Sequence, residues 1–480
     1  MPPHPRLEPK YPVAMTKENI SQIFVDCADF KQRQVLVGPQ QQEVWVFSID
    51  GLVASGDISD FVVKPLMAAK TTVSPEMAQG LIYNAVLVPV PDMDTLTSLL
   101  VNGFCVVLFS PGEAAGFEVK TGEKRSISSP EVENTVKGPK DAFTETVRTN
   151  TSLLRRHLRS PELRLKESIV GRRTLTNVTV CYIAGLTDPR LVRDVTERLS
   201  TIDIDGLLTP AAVEEYLTGS RKTAFPMQIY TERPDRFAWG LLSGRVGILV
   251  DGLPLGYLLP CCMGDFLESP EDRSGNYIVA SCIKFLRYLS LISALLLPGF
   301  FAAVSLYHQE MIPTAWLRAI AQSRTSVPFS VGAEVLILLI AFELLQEAGL
   351  HLPQNLGQAV SIIGGLVVGS AAVEAGLISP AALIVVAAAG ICGYTQPQRD
   401  FADGVRVWRF LIAVGGLAAG LAGVTLVGLL LLIHLGDLRS LGHPYLYPLG
   451  EGRLPSLRKR LFREKYRDMI FEPINVRNQR

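Results

Sequence analysis

Four carboxylates stand out because they lie inside apolar surroundings: Glu334, Glu343, Glu347 and Glu374. A carboxylate at membrane depth costs at least ~2.5–3.5 kcal/mol on insertion scales, so it must face protein or water rather than lipid. Glu343 and Glu347 share one face of a helix, whereas Glu334 points roughly 180° away from Glu343. One face could line a pore while the other pairs with a neighbour; repeated around a ring of subunits, one such carboxylate per subunit selects cations. The alternative is that these side chains sit in headgroup water at helix ends or pair with Arg318 and Arg324. Other chemistry is not encoded. No phosphate-cradling GxxxxGK[ST], GxSxG elbow, HExxH or zinc spacing occurs, and six His are few for acid–base work, so neither an enzyme nor a cofactor or metal is expected.

These carboxylates need apolar helices to carry them. Phe285–Tyr307 and Phe410–Leu435 read as membrane spans; the first covers about 34 Å as a helix, against a hydrocarbon core of roughly 30 Å. Phe329–Leu350 holds Glu334, Glu343 and Glu347, Leu356–Leu377 is Gly-rich and holds Glu374, and Ser379–Tyr394 is short enough to be tilted or re-entrant. Gly365 with Gly369, and Gly416 with Gly420, form GxxxG pairs that let helices approach closely, within a subunit or between subunits. Pro298 interrupts the first span and predicts a kink that could serve as a hinge.

Composition agrees. The chain of 480 residues is 48% hydrophobic and 19% charged, where soluble proteins carry roughly 25%. Its 46 basic and 46 acidic residues cancel, which argues against nucleic acid as a partner. The cancellation hides a division at Tyr277: 29 Lys and Arg stand against 34 Asp and Glu up to that point, and 17 against 12 beyond it. The basic tail beyond Leu438 predicts a cytoplasmic C-terminus, and the N-terminal half shows no export signal, so both ends are expected to be cytoplasmic. That requires an even number of crossings from five segments, so either the Phe329 or the Ser379 segment is expected not to cross. Seven cysteines without a CxxC read as buried thiols of a reducing compartment.

Strand-like runs at Glu43–Ile49, Ala85–Val90, Phe104–Phe109, Val178–Ile183 and Val246–Val250, with helical patterns at Asp141–Arg159 and Pro189–Ile202, suggest two small α/β modules. The expected organisation is a disordered N-terminus over 1–15, modules over 16–130 and 166–277, a linker helix within 131–165, a helical domain of four to six membrane segments over 278–436, and a basic cytoplasmic tail over 437–480. The fold class is therefore an α/β soluble region followed by an all-α multi-pass membrane domain. TERPD from Thr231 and VDGLP from Val250 read as turns or as subunit contacts near the membrane, and HQEMIPT from His308 as a loop after the first span.

Long strings resemble the A subunits of spore germination receptors, the GerA family of endospore-forming bacteria. They are KGPKDAFTETVRTNTSLLRRHLRSPELRL from Lys137, VCYIAGLTDP from Val180, FPMQIYTERPDRFAWGLLSGRVGILVDGLPLGYLLP from Phe225, FLRYLSLISALLLPGFFAAVSLYHQEMIPT from Phe285, and VPFSVGAEVLILLIAFELLQEAGLHLPQNLGQAVSIIGGLVVGSAAVEAGLISP from Val327. The resemblance covers roughly residues 20–470, with divergence around Cys261–Met263 and Arg273–Tyr277. It implies a multi-pass protein of the spore inner membrane with transporter-like B and lipoprotein C subunits as partners. It further implies a ring-shaped homo-oligomer, with a pentamer as one expectation, acting as a nutrient-gated cation channel that starts germination by ion release. The alternatives are a non-conducting scaffold of the receptor and a paralogue associated with the dipicolinate channel.

Overall fold

The computed structural model describes residues 10–82, 86–119, 129–219, 222–351, 369–448 and 461–463. They divide into two compact units. The first holds the described residues up to 219 with Gln228–Pro260; the second holds 222–227 and everything from Cys261 on.

The first unit contains ten strands in two five-stranded antiparallel sheets. The strands are β1 Phe30–Val37, β2 Gln42–Ile49, β3 Leu87–Val90, β4 Phe104–Ser110, β5 Glu113–Glu118, β6 Leu163–Val170, β7 Thr176–Ile183, β8 Ile229–Thr231, β9 Val246–Val250 and β10 Gly256–Leu259. The orders β1-β2-β4-β5-β3 and β6-β7-β9-β10-β8 are the same topology used twice. Each module runs helix, hairpin, helices, edge strand, helix, hairpin. Equivalent turns even make equivalent bonds: Gly112 N–H donates to Met15 O at 3.0 Å, and Gly252 N–H to Glu145 O at 2.7 Å. Both glycines have φ near +90°, which a side chain would strain.

The five strands expected from apolar runs are present. Of the five that sequence reasoning missed, β1, β6 and β8 are edge strands and β5 and β10 lie inside their sheets: β1 is exposed over Lys31, Gln32, Arg33 and Gln34, and β8 has three residues. The stretch 131–165 is more than a linker. Its helix, Val147–His157, stands where Lys17–Ile23 stands in the first module, and β6 begins inside it. The helix starts later than Asp141 because the Asn150 amide brackets Thr144, accepting from its N–H at 2.7 Å and donating to its carbonyl at 2.6 Å, which holds the entry extended. Asp251 Oδ1 then accepts the Val147 N–H at 2.9 Å and serves as the missing cap.

Residues 10–15, expected to be disordered, are also tied down, since Asp94 accepts the N–H groups of Lys10 and Tyr11 at 2.7 and 3.0 Å. The second module repeats the device: Glu232 accepts three successive N–H groups, from Glu131, Val132 and Glu133, at 3.0, 2.7 and 2.6 Å. TERPD is thus a clamp on the preceding strap. Buried Arg233 donates to Pro139 O at 2.9 Å and to Thr135 Oγ1 at 3.0 Å, and is held by Asp235. A buried pair, Arg155 Nε to Asp29 Oδ2 at 2.7 Å and Nη2 to Oδ1 at 3.0 Å, joins the two modules.

The second unit is helical. Its long helices are Tyr277–Tyr307, Val331–His351, Pro380–Tyr394 and Arg399–Asp437, with the shorter Thr314–Ser323 between the first two. By length and composition the first and last of the long helices are apolar enough to cross a membrane. The last is not one straight helix. Ala419 and Gly420 leave helical geometry, Gly420 at φ +61°. In a continuous helix residues 415 and 423 would lie about 12 Å apart, yet a Cβ on Gly423 would collide with the Gly415 carbonyl. The rings of Trp408 and His434, about 39 Å apart on a straight helix, are 5.5 Å apart. The run Phe410–Leu435, expected as one span, is therefore a helical hairpin with an outgoing arm, 399–418, and a return arm, 421–437.

The base of this unit is aromatic. Phe266 stacks on Phe401 with centroids 5.6 Å apart, Phe225 packs on both Phe401 and Tyr445, and Ser440 Oγ donates to Met227 O at 2.8 Å. Residues 438–448, expected as the start of a tail, are part of this base, with Arg439–Ser440 pairing with His443–Pro444.

Candidate functional site

Contacts along the helices fix their directions. Tyr277–Tyr307 runs alongside the outgoing arm in the same sense: Gln396 Nε2 donates to Arg287 O at 3.4 Å, Gly299 meets Ile412, and Tyr307 Oη donates to Leu417 O at 2.9 Å. Val331–His351 runs the opposite way, with Gly332 beside Leu417 and Glu343 beside Arg406. Pro380–Tyr394 runs with it, from the Glu334–Ser379 contact to the Phe342–Tyr394 ring pair at 5.9 Å. One end of the unit collects Tyr307, the hairpin turn and the Glu334 contacts. The other collects the ion pairs Lys284–Glu268 at 2.6 Å and Arg287–Asp272. From Arg287 to Tyr307 is about 30 Å of helix.

The carboxylates fall into two classes. Glu334 is fully enclosed, at 0% exposure. It accepts from Ser379 N–H at 2.9 Å and Ser379 Oγ at 2.6 Å, and from Arg324 Nε at 3.2 Å. It thereby serves the start of the Pro380–Tyr394 helix, where free N–H groups and the helix dipole favour an anion. Pairing with Arg324 was one of the sequence alternatives. Glu343 lies midway between the two ends and faces two guanidinium groups, Arg406 Nη1 at 3.0 Å and Arg409. Arg406 also reaches Gln346 Oε1 at 2.7 Å and Asp403, and Arg409 lies over the Phe342 ring, 5.9 Å from its centroid. Two cations and two carboxylates balance, as burial of charge demands. Glu347 and Glu374, by contrast, are exposed, the latter as the last residue of the short helix Gly369–Glu374.

The small residues behave differently from one another. Gly416 does what its GxxxG implies within one subunit: a Cβ there would collide with the Gly299 carbonyl of the neighbouring helix. Gly420 corrects the expectation. It lies not on a helix face but in the hairpin turn, with the Tyr307 ring 3.1 Å from where its Cβ would be. Gly369 has only ordinary contact with Leu383, and Gly365 lies outside the described residues. Pro298 is buried inside a helix that continues on both sides, and a departure from helical backbone occurs at Ala419–Gly420.

Arg406, Arg409 and Asp403 were missed because the apolar run begins just after them. Two cations one turn apart at the mouth of a long apolar helix were the available signal. Cys262 Sγ donates to Asp265 Oδ2 at 3.1 Å, and the thiols of Cys262 and its neighbour Cys261 are both buried. No cluster of three or more metal-ligating side chains occurs among the described residues.

Comparison with known proteins adds the following. Residues 18–474 match the family model of the Bacillus/Clostridium GerA spore germination protein. Spore germination protein KA of Bacillus subtilis (strain 168) is 34% identical, over 94% of this chain and 83% of its own length. The uncharacterized membrane protein YfkQ of the same organism is 35% identical, over 89% of this chain and 84% of its own. The crystal structure of the N-terminal domain of the A subunit of the Bacillus megaterium spore germinant receptor GerK3 aligns with 50% of this chain and 91% of that one, at 26% identity and a TM-score of 0.38. A family match over nearly the whole chain, with relatives matched over most of their own length, leaves one conclusion: the chain belongs to the GerA family of spore germination proteins.

Proposed function

We propose that this chain is the A subunit of a nutrient-responsive receptor in the inner membrane of the spore. It works there with a transporter-like B subunit and a lipoprotein C subunit, is not an enzyme, and forms the ion path of the receptor as a homo-oligomer. The observation that carries this reading is the balanced charge network of Glu343 with Arg406 and Arg409, midway between the two ends of the helical unit. Ionised groups at that depth are tolerated where they are enclosed by protein or line a water-filled path, and they mark ion routes in membrane proteins. Glu347 and Glu374, both exposed, face such a path from each subunit of a ring.

A second reading, a non-conducting scaffold, is favoured by one specific observation: Glu334 and Glu343 are both occupied by arginines. The two are separated by Glu347→Gln and Glu374→Gln, singly and together, with early monovalent-cation release from nutrient-exposed spores measured alongside receptor abundance. A conducting subunit predicts slower or altered cation release at unchanged abundance. Normal release from the double variant would remove these two side chains from the ion path and favour the scaffold.

A further inference from the structure

Polar contacts close one end of the helical unit. Tyr307 Oη donates to the hairpin-turn carbonyls of Leu417 at 2.9 Å and Ala418 at 3.3 Å, and Arg324 spans from Glu334 to the Phe329 carbonyl, 3.1 Å away. At this end lies the ten-residue helix Thr314–Ser323, between the end of Tyr277–Tyr307 and the start of Val331–His351. None of its residues is buried. At about 100° per residue, Trp316, Leu317 and Ile320 share one arc of the helix, and Arg318 and Gln322 lie on the opposite side. Leu317 and Ile320 are half-buried, Arg318 and Gln322 are exposed, and Trp316 is 70% exposed.

An indole this open, on a helix that ends in a polar closure, has the placement of a group standing at a boundary. The chemistry of that boundary follows from what adjoins it. Phe300 and Tyr307 on the preceding helix, and Leu426, Leu429 and Leu430 on the hairpin's return arm, are exposed apolar side chains on the two elements that meet at this same end. A short helix with an apolar arc, a cationic opposite side and a tryptophan is suited to lie in the plane of a bilayer at headgroup depth.

We propose that Thr314–Ser323 is an interfacial helix, docked at the headgroup level of a phospholipid bilayer with Trp316 as its anchor. This rests on the membrane reading above and adds to it a lipid contact and its residue. The test uses the full chain reconstituted in phosphatidylcholine vesicles, with flotation and resistance to alkaline extraction checked first. Tryptophan emission is then compared between the native chain and Trp316→Phe, in vesicles brominated near the glycerol end of the acyl chain, brominated at mid-chain, or unbrominated with iodide in the water. The expected result is that Trp316→Phe loses the emission component quenched by the shallow bromines. If the lost component is quenched by iodide and by neither lipid, the helix faces water and the proposal is wrong; if only mid-chain bromines quench it, the helix lies inside the bilayer and the proposal is equally wrong. A chain that fails to float overturns the membrane reading and this inference together, whereas failed shallow quenching in a floating chain overturns only the inference.

Discussion

Replacing Glu343 by glutamine should weaken the helical unit by an amount that its surroundings set. The native carboxylate meets Arg406 and Arg409 together. After the substitution Arg406 keeps Asp403 and Gln346, but Arg409, at 3% side-chain exposure, keeps only the Phe342 ring among its described partners. Removing one partner of a fully enclosed ion pair costs about 3–5 kcal/mol. The Glu343 side chain is 36% exposed, so water shares in the loss and the lower end, about 3 kcal/mol, is expected. For a unit of this size that corresponds to a fall in Tm of about 6–12 °C, read by circular dichroism on the detergent-solubilised full chain. Arg409→Met supplies the control, because a double-mutant cycle between the two positions should return a coupling of about 1–3 kcal/mol, the double variant losing less than the sum of its singles. A Glu343→Gln chain that melts within about 1 °C of the native one, or strictly additive losses, would refute the view that this carboxylate neutralises a buried guanidinium.

Three shorter predictions concern other parts of the chain. Gly420→Ala places a side chain at φ +61° against Tyr307 and should cost about 1–2 kcal/mol; an unchanged melting temperature would show that the hairpin turn tolerates a side chain. Asp92 caps the helix Met93–Val101 by accepting the Thr95 N–H at 2.6 Å, and that bond holds its carboxyl below the usual range. Because the folded value is the lower one, the stabilisation is present above about pH 4 and is lost as pH falls through the lowered value; Asp92→Ala should cost about 0.5–2 kcal/mol at neutral pH and flatten that acid limb of the stability curve. Burial pushes the Cys105 thiol up to about 12 and raises that of Cys181 as well. Neither should react with maleimide at neutral pH until the first unit is unfolded by denaturant, as mass spectrometry of the labelled peptides will show.

The order of elements was legible wherever a pattern is local. Runs such as Val246–Val250 and Phe104–Phe109 read as strands because they are short, apolar and rich in valine, and the apolar stretch at Phe285 reads as a helix because it is far longer than a strand. The edge strand β1 escaped, since it keeps water on its exposed side and carries lysine and arginine there, a composition shared with loops. The repeated module escaped for a related reason: the two copies share strand order and turn contacts, and neither is written in residue identities at fixed spacing.

Composition, charge segregation and the family's long strings were fixed by the order of residues, which determines how much apolar surface each segment must hide and how long a helix it can make. The pairing of Glu343 with Arg406 and Arg409, the enclosure of Glu334 by Ser379 and Arg324, and the reversal of the chain at Gly420 were decided only by tertiary structure. Hydropathy registers how apolar a stretch is and not its direction, so two antiparallel arms joined at one glycine look the same as a single long span. Ion pairing likewise depends on distances through space between segments some sixty residues apart. The sequence could therefore name the carboxylates worth attention, and the packing of helices decided which of them are neutralised and which remain exposed.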